Sequence, residues 1–218
     1  MAGIRFITLL KTSWAIDVLI VFSVIVLAVI LERLWAYRNV RIDEERLLDR
    51  VQRALKKGNI DEAIYLCEAT KSPLADVFVV GIKNRRLPRE DISNLLEGAL
   101  IETKTFLEKR NIALSTISFI APLLGLLGTV MGIIRAFHDL AVSGAGGPSV
   151  IMQGVAEALV STAIGIIVAI PAAIFYNYFS NNIKSILTRL ESYTRKFLAF
   201  LNANFKEVTA GVGSQDRQ

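Results

Sequence analysis

Three long apolar runs, an uneven placement of Lys and Arg along the chain, and helical spacing between the runs predict an all-α integral membrane protein with three transmembrane helices. The second and third helices are expected to continue as long helices into a cytoplasmic helical domain. The 218 residues are 53% hydrophobic but only 8% aromatic, so Leu, Ile, Val and Ala carry the apolar character. Mean hydropathy is +0.47, above what a water-soluble domain of this size normally shows. The formal net charge of +5 reflects Lys and Arg in loops rather than a nucleic-acid surface, because no basic stripe is interleaved with aromatics.

The elements follow in order. Residues 1–13 form a short N-terminus with Arg5 and Lys11, and residues 14–35 a first span, whose apolar run 14–31 bears only Asp17 near its outer end. No small-residue cleavage site follows, so this run reads as an uncleaved anchor. Residues 36–110 form a helical insertion. Leu47, Leu48, Val51, Ala54 and Leu55 repeat at helical spacing, and Gly58 stops that helix. Asn59 with Glu62 predicts a capping box for the next helix, and Ser72-Pro73 the start of another. Cys67, the single cysteine, has no partner for an internal disulfide and reads as a reduced core thiol. The second span is 111–137, with no charge before Arg135; a connection at 138–153 follows, then the third span at 154–180. An unbroken helix from Pro88 to Phe137 would be about 75 Å long; the alternative is a break near Lys109–Asn111. A cytoplasmic helical extension at 181–207 and a tail at 208–218 complete the chain.

Orientation follows from the positive charges. The connection 138–153 has neither Lys nor Arg and is expected outside. The insertion and the segment with Lys184, Arg189, Arg195 and Lys196 are expected in the cytoplasm. The N-terminus then lies outside and the C-terminus inside.

Two stripes of small residues mark the second and third spans. Ala121, Gly125, Gly128 and Gly132 fall on one helix face; Gly154, Ala158, Ser161, Gly165, Ala169 and Ala172 fall on another. Such faces serve either tight packing of the hairpin on itself or closure of several chains around a pore. Glu157 is the one charge of the third span. An ionised carboxylate deep in hydrocarbon costs at least about 2.5–3.5 kcal/mol, so it either faces something other than lipid or sits near the outer interface. Ser161 is about 40° from Glu157 around the helix axis and Thr162 about 140°, so Ser161 shares its face and Thr162 does not. Asp17 reads as interfacial, and His138 as a loop-end residue without chemistry. Pro122 and Pro171 each remove a helix hydrogen bond inside a span.

The stretches APLLGLLGTVMGIIRAF (121–137) and GVAEALVSTAIGIIVAIPAAIFYN (154–177) resemble the two signature helices of the MotA/TolQ/ExbB proton-channel family, the ExbB/TolQ branch most closely. That branch carries G-L-x-G-T-V-x-G-I followed by G-I-A-E-A-L-x-x-T-A-I-G-L. Met131 stands where a tryptophan is common, and Gln153 where a proline often precedes the glycine. The resemblance covers about residues 112–180. It implies a bacterial inner-membrane homo-pentamer with a pore lined by the second and third helices. A smaller ExbD- or TolR-like single-span partner would occupy the pore, and a TonB- or TolA-like protein would be driven across the periplasm. Thr129, Glu157 and Thr162 match the family's polar pore residues, and Ser161 lies beside them; the partner's membrane aspartate is the leading candidate for the proton carrier. The short outer N-terminus suits TolQ, and GNIDEAIYLCEATKSPLADVF (58–78) suits ExbB; a MotA-like stator usually has four spans. A non-conducting scaffold knit together by Glu157 and the threonines is the contrasting class. No nucleophile–base set, phosphate loop or metal-ligand cluster stands out, so no enzyme activity, cofactor or metal is expected.

Overall fold

The computed structural model describes residues 14–38, 44–70, 72–143 and 148–205. The predicted N-terminus (1–13), residues 144–147 of the predicted connection and the predicted tail (208–218) lie outside the described residues. Among the described residues the structure is helical: α1 (Trp14–Arg38), α2 (Glu44–Lys56), α3 (Ile60–Thr70), α4 (Pro73–Lys83), α5 (Arg89–Lys109), α6 (Asn111–Ser143) and α7 (Pro148–Asn204). Three of these are long and apolar enough to cross a membrane, over Trp14–Trp35, Asn111–Val142 and Ile151–Asn204. Each is at least as long as the roughly 20 residues that about 30 Å of hydrocarbon requires, and the second and third are longer. Most of the predicted connection 138–153 is helical, as the ends of α6 and α7.

The long helix expected from Pro88 is interrupted. A turn at Arg110 separates α5 from α6, the alternative that the sequence left open. Asn111, the first residue of α6, is buried and donates its Nδ2 to Ser180 Oγ at 2.7 Å and Tyr176 O at 3.4 Å. Asn favours a helix start over a helix interior, and here its amide ties that start to α7. Arg110 in the turn pairs with Glu32 of α1.

The chain divides into two compact units, residues 1–36 with 109–180 and residues 37–108 with 181–218. In the first unit α6 and α7 pack through their small residues. A methyl group on Gly165 would lie 2.6 Å from Ala121 O, and one on Gly125 3.1 Å from Thr162 Cα. One on Gly132 would meet Ala158 Cβ at 2.9 Å, and one on Gly154 would meet Ala136 Cβ at 2.4 Å. The two stripes therefore face each other within one chain, which is the first of the two uses the sequence allowed. Ala15 of α1 closes against the same seam beside Gly128. Outside the seam Val24, Leu27, Phe119, Leu126, Ile167 and Ile170 are all more than half exposed. Each would forfeit about 1.5–3 kcal/mol in water, so this unit requires lipid or further protein around it.

The second unit has an ordinary apolar core. Phe78 and Phe197 stack with ring centroids 4.4 Å apart, surrounded by Val77, Ile82, Leu96 and Leu201. Gly81 is required there, because a Cβ would lie 2.7 Å from the Phe197 ring. Its local signals act as the sequence predicts. Gly58 takes φ +76 and ends α2, a left-handed cap that glycine adopts without steric cost. Asn59 and Glu62 form the capping box, Glu62 N donating to Asn59 Oδ1 at 3.3 Å and Asn59 Nδ2 to Glu62 Oε2 at 3.0 Å. Ser72 caps α4 by accepting from Ala75 N at 3.1 Å. Cys67 is a buried free thiol, pushed up to about 12 by burial first and by the Asp76 and Glu68 carboxylates second.

Candidate functional site in the second and third spanning helices

The α6–α7 seam sorts the polar residues of the two signature segments into two places. On one side Thr129 and Thr162 meet. Their hydroxyls hydrogen-bond each other, Thr129 also reaches Gly125 O at 3.2 Å and Ala158 O at 3.1 Å, and Thr162 reaches Gly125 O at 3.1 Å. Two hydroxyl protons thus serve four contacts, so at any moment some of these contacts carry no proton. Thr162 is brought here because position 162 lies on the side of α7 away from Glu157, as the helical angle predicts. Gly125, with no side chain, leaves room for its approach.

On the other side lies Glu157. It is half-buried and lines an open cavity of about 270 Å³ together with Arg135, Asp139, Gln153 and Ser161. The walls between these groups are Gly128, Gly132, Ala136, Gly154 and Ala158, so the cavity exists because the seam is built from residues without bulk. Ser161 is fully buried against Gly128; a Cβ on that glycine would lie 2.0 Å from Ser161 Oγ. Its Oγ has no hydrogen-bond partner, a condition that costs roughly 1–3 kcal/mol unless something satisfies it. Glu157 and Ser161 share one face as predicted, and neither is part of the threonine pair.

Arg135 and Asp139 escaped the sequence reading. The signal was present: 132, 135, 136 and 139 recur at steps of three, one and three, which keeps them on the stripe face of α6. Charges at the end of a span ordinarily read as interfacial, so position along the chain alone does not mark these two. Asp17 is exposed in the first turn of α1. His138 is exposed, with Nδ1 3.5 Å from Asp139 Oδ1. Among the described residues no cluster of His, Cys, Asp and Glu is placed to hold a metal ion.

Three spanning helices, two of them in a tightly seamed hairpin that carries hydroxyls and the carboxylates Asp139 and Glu157, define a multi-pass membrane protein with polar groups placed in its apolar spans. The sequence profile of the MotA/TolQ/ExbB proton channel family matches residues 69–192, more than half of the chain. The chain belongs to that family. An ExbB-like biopolymer transport protein of Synechocystis sp. is 29% identical over 160 residues, 72% of this chain and 76% of that protein. The Tol-Pal system protein TolQ of Haemophilus influenzae is 30% identical over 198 residues, 86% of this chain and 87% of that one. The biopolymer transport protein ExbB of Salmonella typhimurium is 34% identical over 120 residues, 55% of this chain and about half (49%) of its own length.

Proposed function

We propose that this chain is the proton-channel subunit of an energy-transducing complex in a bacterial inner membrane, of the ExbB–ExbD–TonB type. It assembles as a homo-pentamer around the membrane helices of an ExbD- or TolR-like partner and drives a TonB- or TolA-like protein that reaches across the periplasm. The observation that carries this reading is the placement of Glu157: a carboxylate in a family of proton channels, half-buried in a polar cavity of an otherwise apolar hairpin. One charge crossing 100 mV yields about 2.3 kcal/mol, enough to bias a switch between packed states. The N-terminus and the α6–α7 connection lie on the periplasmic side and the second unit in the cytoplasm, following the positive charges. Glu157 and Ser161 serve the proton route, whereas the inward hydrogen bonds of Thr129 and Thr162 support a role in holding the conducting hairpin together.

A TolQ-type role in envelope maintenance is the second reading, favoured by the TolQ relative whose similarity extends over 86% of this chain. Liposomes holding the chain and its single-span partner test the conducting role: an imposed potential should acidify the interior when both proteins are present. No flux from a correctly assembled complex would leave the scaffold reading. Pull-down of a TonB-like or a TolA-like protein then decides between the two systems.

A further inference from the structure

The cavity beside Glu157 is chemically unlike the rest of the first unit. In a hairpin whose outer faces are Leu, Ile, Val and Phe, it gathers one guanidinium, two carboxylates and an amide: Arg135, Asp139, Glu157 and Gln153. At about 270 Å³ it is roughly one Debye length across, so these charges act on one another directly. Its volume exceeds what a water molecule needs by several-fold, and its polar lining supplies the two to four partners that hold a buried water in place. At its inner end lies Ser161, buried and without a partner for its hydroxyl. In the family pattern position 161 is one of the two unspecified residues between the leucine and the threonine, and Arg135 lies beyond the second-span motif, so neither residue is fixed by the shared motifs.

We propose that this cavity is a water-filled vestibule within each chain, ending at Ser161, through which Glu157 is reached from the aqueous phase on the side of the α6–α7 connection. Arg135 and Asp139 set the charge at its rim. The threonine pair lies on the other side of the seam, its hydroxyls bonded to each other and to backbone carbonyls. The vestibule deepens the proton-channel reading and rests on it for its purpose, although its hydration is testable without any proton flux.

Thiol accessibility supplies that test, with the full chain in membrane vesicles of both orientations. Single cysteines replace Glu157, Gln153, Thr162 and Leu159 in turn. Cys67 stays in place as a silent background, since its thiol is buried and held at about 12. A membrane-impermeant methanethiosulfonate attacks only a hydrated, ionisable thiol, so Glu157→Cys and Gln153→Cys should react from the same side roughly tenfold or more faster than Thr162→Cys and Leu159→Cys. Leu159 is the decisive control, being 60% exposed on an apolar face: it separates wet from merely uncovered. Arg135→Gln in the Glu157→Cys background should raise the rate with a cationic reagent relative to an anionic one. Labelling of Glu157→Cys as slow as Leu159→Cys would overturn the vestibule. An unchanged cation-to-anion ratio on removing Arg135 would overturn its place at the rim. Rapid labelling together with absent proton flux would retain the vestibule and reject the channel reading.

Discussion

At the residue scale, what matters in this hairpin is which side of one seam a polar group lies on. Thr129 and Thr162 face inward and share their protons with Gly125 O and Ala158 O. Net hydrogen-bond contributions are about 0.5–1.5 kcal/mol each, so Thr129→Val and Thr162→Val should each lower the thermal stability of the purified complex by a few degrees. Because the two share one network, the double variant should lose less than the sum of the singles; simple additivity in that cycle would show that the pair is not coupled. Part of this is legible in the sequence. The 3.6-residue period already separated Thr162 from Glu157 and joined Ser161 to it. It was silent on Thr129 meeting Thr162, because a contact across two helices depends on their register, which no single-helix periodicity contains. Arg135 and Asp139 stayed hidden for a related reason: their face is legible, but the cavity they share with α7 is not.

At the element scale, the glycines of α6 and α7 are spacing devices. Gly165 sits against backbone, with Ala121 O 2.6 Å from the position of a Cβ. Backbone cannot swing aside as a side chain can, so Gly165→Ala should separate the helices and cost about 1–3 kcal/mol, measured as loss of assembled complex on heating in detergent. Gly98, inside α5, has nothing within 4 Å of its would-be Cβ. There the same substitution should stabilise by roughly 0.5–1 kcal/mol through helix propensity alone. Equal effects at the two sites would refute the packing account. The stripes themselves were visible in the sequence, since steps of three and four define one face. Whether they met each other or a neighbouring chain was not, because small residues suit either use. Capping signals in the second unit were legible for the opposite reason: Gly58, Asn59 and Ser72 act within a few residues of themselves. The break at Arg110 has no proline or glycine to announce it; it is tied to the long-range bonds of Asn111 with α7.

At the scale of the whole molecule, the two units answer to different solvents. The second unit has a closed core and should respond to pH as soluble domains do. Cys67 keeps its proton in the folded unit up to about 12, while the unfolded thiol loses it near 9.0. Between these values the unfolded state binds fewer protons, so stability is intact below pH 9 and falls as pH rises towards 12. Cys67→Ala should flatten that decline in a chemical-denaturation series, and an unchanged slope would place the decline elsewhere. The first unit, exposed on its apolar faces, requires lipid or further protein around it. The three spans were readable from composition because hydrocarbon thickness sets their length, and the family was readable because its two motifs lie in sequence order. The role of Glu157 is tested most directly by proton flux in liposomes carrying the chain and its single-span partner, comparing wild type with Glu157→Gln at equal assembly. Wild type should conduct, and Glu157→Gln should lose most of the flux. Equal flux in both would contradict that role and leave Glu157 a structural residue.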